Sequence, residues 1–432
     1  MSLFYPRAIA RHLRRPMDII SPHCRNLRPP PPGRHVSGMN SSSKAPASCP
    51  TALQNALFDV LPIHSLVEEE TVPNYDPTKF FPIHLGAVLR SRYRVVAKLG
   101  FGTSSTVWLC RDEKNSKLAA LKVCTYDGTT TQESAISHHI NSIEADHPGK
   151  QRLRVAIDEF YLSHESHKHQ CLVFAPLGLT YTHFRNAFPS KRLNKDILKQ
   201  SLLMILMGLD FLHQAGVVHT DLSPNNILLG AENEDAFIQI ETLEHNSPLP
   251  RKLLEDRVIY TSHEMPLTYG APVISDFGAA RLGEPGQKHS GDVMPGVYRA
   301  PEIIFGMPWD SKIDVWSVGL MIWDLFEGGR LFRAVRDGNL NDEQHLAEMV
   351  SLLGPPPKRF LERSIKCRQY WDVDGNWIAS TPIPNQTLES RETQLAGEEH
   401  AFLITLARKM LCWLPEERSS AGELLEDDFL NS

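Results

Sequence analysis

Two hydrophobic periodicities divide this chain and limit what it can fold into. From Tyr93 to Val123 the sequence is written in short β-branched runs separated by turns, residues 93–96, 106–109 and 118–123, which predict antiparallel strands. From Asp196 onward the apolar residues Ile197, Leu198, Leu202, Ile205, Leu206, Leu209 and Leu212 recur at helical spacing, and Gly216 follows as a terminator. Residues 317–326 and 341–353 read the same way. Strands first and helices after predict an α+β chain, with a small antiparallel-sheet lobe followed by a larger, mainly helical lobe.

Length and composition are consistent with that. A chain of 432 residues, 41% hydrophobic, can bury two or three ordinary domains or one large two-lobed unit. The 45 basic residues against 51 acidic argue against direct nucleic-acid binding, which concentrates Lys and Arg on one face. Cys24, Cys49, Cys110, Cys124, Cys171, Cys367 and Cys412 are scattered and form no C-x-x-C pair. Zinc sites and a disulfide framework are therefore not expected, and a reducing compartment is. The apolar stretch 202–209 is far too short to span a bilayer, so no transmembrane segment is expected.

The first fifty residues differ in kind. They carry seven arginines and Lys44 against one acid, Asp18, with prolines at positions 29–32 and serines at 41–43. Such a composition cannot bury a core, and residues 1–74 are expected to be a basic, Pro/Ser-rich disordered segment. An Arg- and Ser-rich, acid-poor N-terminus is also the composition of a mitochondrial transit peptide. Pro6 and Pro16 limit any helix between them to about two turns or a little more. The compartment thus stays open between cytoplasm, nucleus and mitochondrion.

The residues with chemical meaning stand in a fixed order. Leu99, Gly100, Gly102, Ser105 and Val107 lie between two expected strands, where glycines would let backbone N–H groups approach phosphates closely. Lys122 lies on the next strand in residues 119–123, and Glu133 opens a helical stretch over 133–143. His219, Asp221 and Asn226 share a loop after the long helix, and Asp276 ends an apolar strand before Phe277 and Gly278. Carboxylate and amide oxygens suit a hard, octahedral ion. Arg299-Ala300-Pro301-Glu302 follows, then Asp314-Val315-Trp316-Ser317-Val318-Gly319, and Arg418 is placed to pair with Glu302.

This order resembles the motif set of eukaryotic protein kinases: the glycine-rich loop, the V-A-I-K lysine, the H-R-D-x-x-x-x-N loop, D-F-G and A-P-E. Ser105-Thr106-Val107-Trp108-Leu109, His219-Thr220-Asp221, Val297-Tyr298-Arg299 and residues 342–354 are most similar to the SR-protein kinase family, in particular its divergent fungal-type members. The resemblance covers residues 75–430. It implies a small lobe over 75–176 and a large lobe over 177–432, with a poorly matching insert around 231–271. It also implies ATP and Mg2+ as cofactors. Lys122 and Glu133 would position phosphates, Asp276 and Asn226 would hold the metal, and Asp221 would orient the substrate hydroxyl. Phe174 would back the adenine pocket, with the backbone of Ala175 and Leu177 pairing the base. Arg/Ser-rich protein substrates are implied as well. The acids of the insert (Glu232, Glu234, Asp235, Glu241 and Glu244) read as a solvated charge run.

Two departures matter. Thr220 replaces the arginine that clasps an activation-loop phosphate in many kinases, and between Arg281 and Tyr298 the only hydroxyl is Ser290. Activity is therefore expected without activation-loop phosphorylation. Ser223 replaces the lysine beside the catalytic aspartate. That leaves open a catalytically weak or dead pseudokinase scaffold, and beside it a small-molecule phosphotransferase sharing the H-x-D-x-x-x-x-N loop, or an interaction module acting through the insert.

Overall fold

The computed structural model describes residues 58–126 and 131–432. The transit-peptide reading therefore lies outside the described residues, and the expectation of disorder over 1–74 reaches into them only at residues 58–74.

The β-branched runs form one six-stranded antiparallel sheet in the order β1-β2-β3-β4-β6-β5. Its strands are β1 (Val88–Leu89), β2 (Tyr93–Phe101), β3 (Ser105–Asp112), β4 (Leu118–Cys124), β5 (Asp158–His164) and β6 (His167–Phe174). Helix α1 (Thr131–Ser142) joins β4 to β5, and its Ile136 and Ile140 are buried in the core of the large lobe. Side chains alternate between the two faces of a strand. On β4 the face of Leu118, Ala120 and Lys122 looks into the cleft, and that of Ala119, Leu121 and Val123 looks away. The two faces belong to two separate apolar clusters.

The large lobe follows, with α2 (Tyr181–Ala187) and α3 (Lys195–Gln214). Asn194 caps α3 by accepting from the Ile197 N–H, and Gly216, at φ 73°, turns the chain out of it. Short strands β7 (Val217–Val218) and β8 (Ile227–Leu229) flank the loop carrying Asp221. The insert then forms α4 (Asp235–Asn246) and the hairpin β9 (Arg251–Leu253) with β10 (Val258–Tyr260). The chain returns at β11 (Pro272–Ile274), antiparallel to β8, and β12 (Arg281–Leu282) pairs with β7. Helix α5 (Lys312–Ile322) is buried along its whole length from Ile313 onward and runs into one π-type turn over Trp323–Glu327. Hairpin β13 (Val335–Arg336) with β14 (Asn339–Leu340) leads to α6 (Asp342–Leu353), and α7 (Gly397–Met410) lies near the end of the chain. One apolar core unites Leu202, Leu206 and Leu209 of α3, Trp316 and Met321 of α5, Leu346 and Met349 of α6, and Leu403 and Leu406 of α7.

Two expectations are corrected. The packed chain begins before Tyr75, because residues 58–74 lie against the small lobe. Glu69 and Glu70 there neutralise Lys98 and Lys252, both buried. The acids of the insert are not simply a solvated run either. Glu234 accepts the Leu118 N–H at 3.2 Å, Glu241 pairs with Arg111, and buried Glu244 binds Arg251 at 2.8 Å and His263 at 2.7 Å. A sequence read locally shows charges, and only the fold shows which of them meet.

Candidate active site

Strands β2 and β3 are joined by a tight turn that Gly102 N–H closes on Ser105 O at 2.8 Å. A β-carbon on Gly100 or Gly102 would meet no atom within 4 Å, and neither residue has a left-handed backbone. The protein's own packing thus does not demand glycine there. The open space suits the close approach of ligand oxygens. Ser105 opens β3 opposite Cys124 and is buried. Leu99, Ala120 and Phe174 are buried in one cluster on the cleft side, with Val107 partly buried against it. Ala175 and Leu177 lie just beyond, on the segment that leads from β6 to α2.

Lys122, on the cleft face of β4, is the charged centre. Its Nζ lies 2.6 Å from Glu133 Oε2 and 3.3 Å from Asp276 Oδ1. Glu133 sits in the first turn of α1 and is buried. Burial alone would lower the Lys122 pKa, but the carboxylates of Glu133 and Asp276 more than reverse this and hold the ammonium charged. For Asp276 burial pushes upward, yet Lys122 and His219 bring its carboxyl below the usual range. Asp276 is left-handed, at φ 64°. A non-glycine residue in that region marks a constrained position.

The loop between β7 and β8 is built from below by α5. Asp314 Oδ2 accepts the His219 N–H at 2.8 Å and Oδ1 the Thr220 N–H at 2.9 Å, while His213 Nε2 meets Oδ2 at 2.9 Å. These bonds hold Thr220, a β-branched residue at φ 67°. His219 uses both ring nitrogens, accepting the Asp221 N–H on Nδ1 at 3.2 Å and donating from Nε2 to Ser275 O at 2.9 Å. Asn226 Nδ2 donates to Asp221 O at 2.7 Å and to Asp221 Oδ2 at 2.9 Å, which leaves its amide oxygen as a ligand atom. Ser275 N–H and Oγ both donate to Asn226 O, at 2.9 and 3.0 Å, tying the Asp221 loop to the Asp276 strand. Burial raises the Asp221 pKa, and the charge of Asp276 adds to that. The neighbouring His219 and the Asn226 hydrogen bond offset part of it.

The family described as protein kinase domain matches residues 93–430. The chain belongs to the protein kinase family. It is 40% identical over 380 residues to a serine/threonine protein kinase of Aspergillus fumigatus, covering 86% of this chain and 93% of that one. It is 30% identical to the serine/threonine-protein kinase SRPK of Physarum polycephalum, covering 84% and 91%. To the dual specificity kinase CLK4 of Homo sapiens it is 29% identical, covering 80% and 68%. A crystal structure of a kinase domain superposes with a TM-score of 0.63 at 25% identity, over 82% of this chain and all of that one. These relatives place the chain among serine/threonine protein kinases, a family that uses ATP and a divalent metal.

For this kinase the structure brings Lys122, Glu133 and Asp276 into direct contact, and joins Asp221 to Asn226 by hydrogen bonds. Asn226, just before β8, and Asp276, just after β11, offer hard oxygen donors at the joined ends of two paired strands, and Asp276 is held ionised, so the residues present fit a magnesium ion. Arg418 is fully buried against Glu302, with Nη1–Oε1 at 2.6 Å and Nη2–Oε2 at 2.7 Å. Asp314 positions this loop although it lies outside the expected set of site residues. An aspartate flanked by Ile313 and Val315 on an apolar helix was the available signal, since a buried carboxylate needs partners.

The segment after Asp276 is ordered by bonds that need no phosphate. Thr220 Oγ1 donates to Ala279 O at 2.8 Å, His289 and Trp309 exchange backbone bonds at 2.7 and 3.0 Å, and Trp309 Nε1 donates to Gly291 O at 3.0 Å.

Proposed function

We propose that this chain transfers the γ-phosphoryl group of Mg-ATP to serine or threonine hydroxyls of protein substrates, without prior phosphorylation of its activation segment. The observation that carries the reading is the contact of Lys122 with both Glu133 and Asp276, beside the Asp221–Asn226 pair. Mg-ATP, when bound, would supply the electrophilic phosphorus and its charge neutralisation. Lys122, held by Glu133, would position the phosphates under the turn of Gly100 and Gly102. Asp276 and Asn226 would hold the metal. Asp221, its carboxylate fixed by Asn226, would accept or orient the substrate hydroxyl. Phe174 would back the adenine, with Ala175 and Leu177 pairing the base through their backbone. Ser223 contributes no charge near the transferring group, so a modest turnover is the expectation. Arg/Ser-rich protein substrates are the proposed class, on the likeness to SRPK.

The test is transfer of labelled phosphate from Mg-ATP by the phosphatase-treated full chain. The substrates are an Arg/Ser-repeat protein, a general basic protein and an aminoglycoside. Label on the Arg/Ser protein, reduced at least about 100-fold by Asp221→Asn, supports the reading. Label on the aminoglycoside alone would move the chain to the small-molecule class. Intact ATP binding with no transfer makes it a scaffold, and activity lost with a phosphate at Ser290 overturns independence from phosphorylation.

A further inference from the structure

Strand β2 leads directly into the glycine-rich turn, and the one charged side chain it buries is Lys98. Lys98 faces away from the cleft, and its ammonium is met by groups of the arm, the insert and the two strands that flank the turn. The carboxylates of Glu69 and, at 3.5 Å, Glu68 reach it from the arm of residues 58–74. The carbonyl of Tyr260, at the end of β10 in the insert, accepts from it at 3.0 Å. The ring of Phe101, the last residue of β2 before the turn, has its centroid 5.6 Å away, and that of Trp108 on β3 lies at 5.8 Å. The backbone of Lys98 is held as well, its carbonyl accepting the His263 N–H at 2.9 Å.

The arm and the insert also hold each other. Lys252 on β9 pairs with Glu70 at 2.7 Å and donates to Ser65 O at 3.0 Å, and Ser262 N–H donates to Glu68 at 3.0 Å. The insert leaves the large lobe at Gly230 and returns at Ala271, where Gly230 N–H donates to Ala271 O at 2.9 Å. It therefore departs just after Asn226 and comes back just before Asp276. On the cleft side, α4 lays Phe237 and Ile240 in the same cluster as Ala97, Leu99 and Phe174. On the far side, Tyr260 joins Tyr93, Val95 and Trp108. The insert thus grips β2 on both faces while rooted between the metal-binding loops.

A buried ion pair adds little net stability over apolar side chains of the same volume, but it fixes geometry. Resting on the reading of this turn as the phosphate cover, we propose that Lys98 is a positioning residue for the glycine-rich turn. It is pinned from outside the cleft by Glu68 and Glu69 of the arm and by Tyr260 of the insert. The height of the turn over the nucleotide phosphates is then set by elements anchored in the large lobe, and Phe101 transmits the setting through its contact with the ammonium.

The test compares the full chain with Lys98→Met, Lys98→Arg and Glu69→Gln. Amide hydrogen exchange is measured without nucleotide, and KM for ATP and for the protein substrate with it. In Lys98→Met, exchange over residues 99–106 and the KM for ATP are each expected to rise about tenfold, while β4 and β6 exchange as before. The kcat and the substrate KM stay within about twofold, and Lys98→Arg recovers most of the loss. Should Lys98→Met fail to fold, Glu69→Gln carries the same test with an effect of about threefold. Unchanged exchange at the turn, or a rise spread evenly over the small lobe, overturns the proposal. A wild-type chain that binds no nucleotide would refute the phosphate-cover reading instead, and exchange at residues 99–106 would still decide the role of Lys98.

Discussion

At the scale of single residues, the pair Glu302–Arg418 makes the sharpest demand on the fold. Both side chains are at most 1% exposed, both oxygens of Glu302 are taken, and the Arg418 guanidinium also lies 4.9 Å from the Trp316 ring centroid. Arg418→Met leaves a carboxylate buried without its partner, at a cost of about 3–5 kcal/mol. Thermal denaturation should show Tm lowered by on the order of 10 °C. The double variant with Glu302→Leu should recover much of that, because it removes both charges together. A single variant within about 1 kcal/mol of wild type would contradict the argument. The contacts of this pair, and of Lys122 with Glu133, were legible in the sequence because these residues stand in a motif order shared with a known family. Asp221, Asn226 and Asp276 stood out in the same order, and their roles rest on the proposed reading. Lys98 was not legible. A lysine on a strand reads as solvated until the partners that bury it, 29 and 162 residues away, are known.

At the scale of elements, α6 carries a cost that pH exposes. His345 is fully buried under Phe332, their ring centroids 5.0 Å apart, and neither of its ring nitrogens has a hydrogen-bond partner among the described residues. Burial, with the charge of Arg299 added, lowers its pKa to about 3. The unfolded chain therefore takes up a proton near the ordinary value of about 6.5 that the folded chain refuses. Stability contributed by neutral His345 is present above that pH and is lost as pH falls toward 3. His345→Leu removes the effect. Between pH 7.5 and 5.5, denaturant unfolding should show wild type losing about 1.4 kcal/mol more than the variant. Equal losses would mean the histidine finds a partner when protonated. Periodicity did place α6 at residues 341–353, close to the observed Asp342–Leu353. It could not show that this polar ring faces inward, since a histidine at an apolar position looks the same in sequence whichever way the helix turns. The helix expected over residues 317–326 similarly begins earlier, at Lys312, because tertiary burial extends it past the point where the apolar run alone would start it.

At the scale of the whole molecule, the arm and the insert make the small lobe depend on chain from outside it. The motif resemblance begins at Tyr75, yet Glu68, Glu69 and Glu70 before it supply the carboxylates for two lysines whose side chains are at most 3% exposed. Cutting at residue 75 would take the carboxylate partners from Lys98 and Lys252, both buried in the intact chain. Broken buried pairs cost about 3–5 kcal/mol each. The core of the large lobe is untouched by the cut, so the small lobe should unfold first. Trp108 reports this directly. It is buried in the small lobe, its Nε1 donates to Thr106 Oγ1 at 2.9 Å, and its ring meets that of Tyr260 edge-on at 5.7 Å. The other six of the seven tryptophans, residues 309, 316, 323, 371, 377 and 413, lie in the large lobe. The fluorescence difference between residues 75–432 and the same chain with Trp108→Phe should change at lower urea than the far-UV circular dichroism of either. In the full chain the two transitions should lie closer together. Coincident transitions with an unchanged midpoint in the truncated chain would show that the arm rests on the lobe without supporting it, whereas separated ones would make residues 58–74 part of the kinase domain itself.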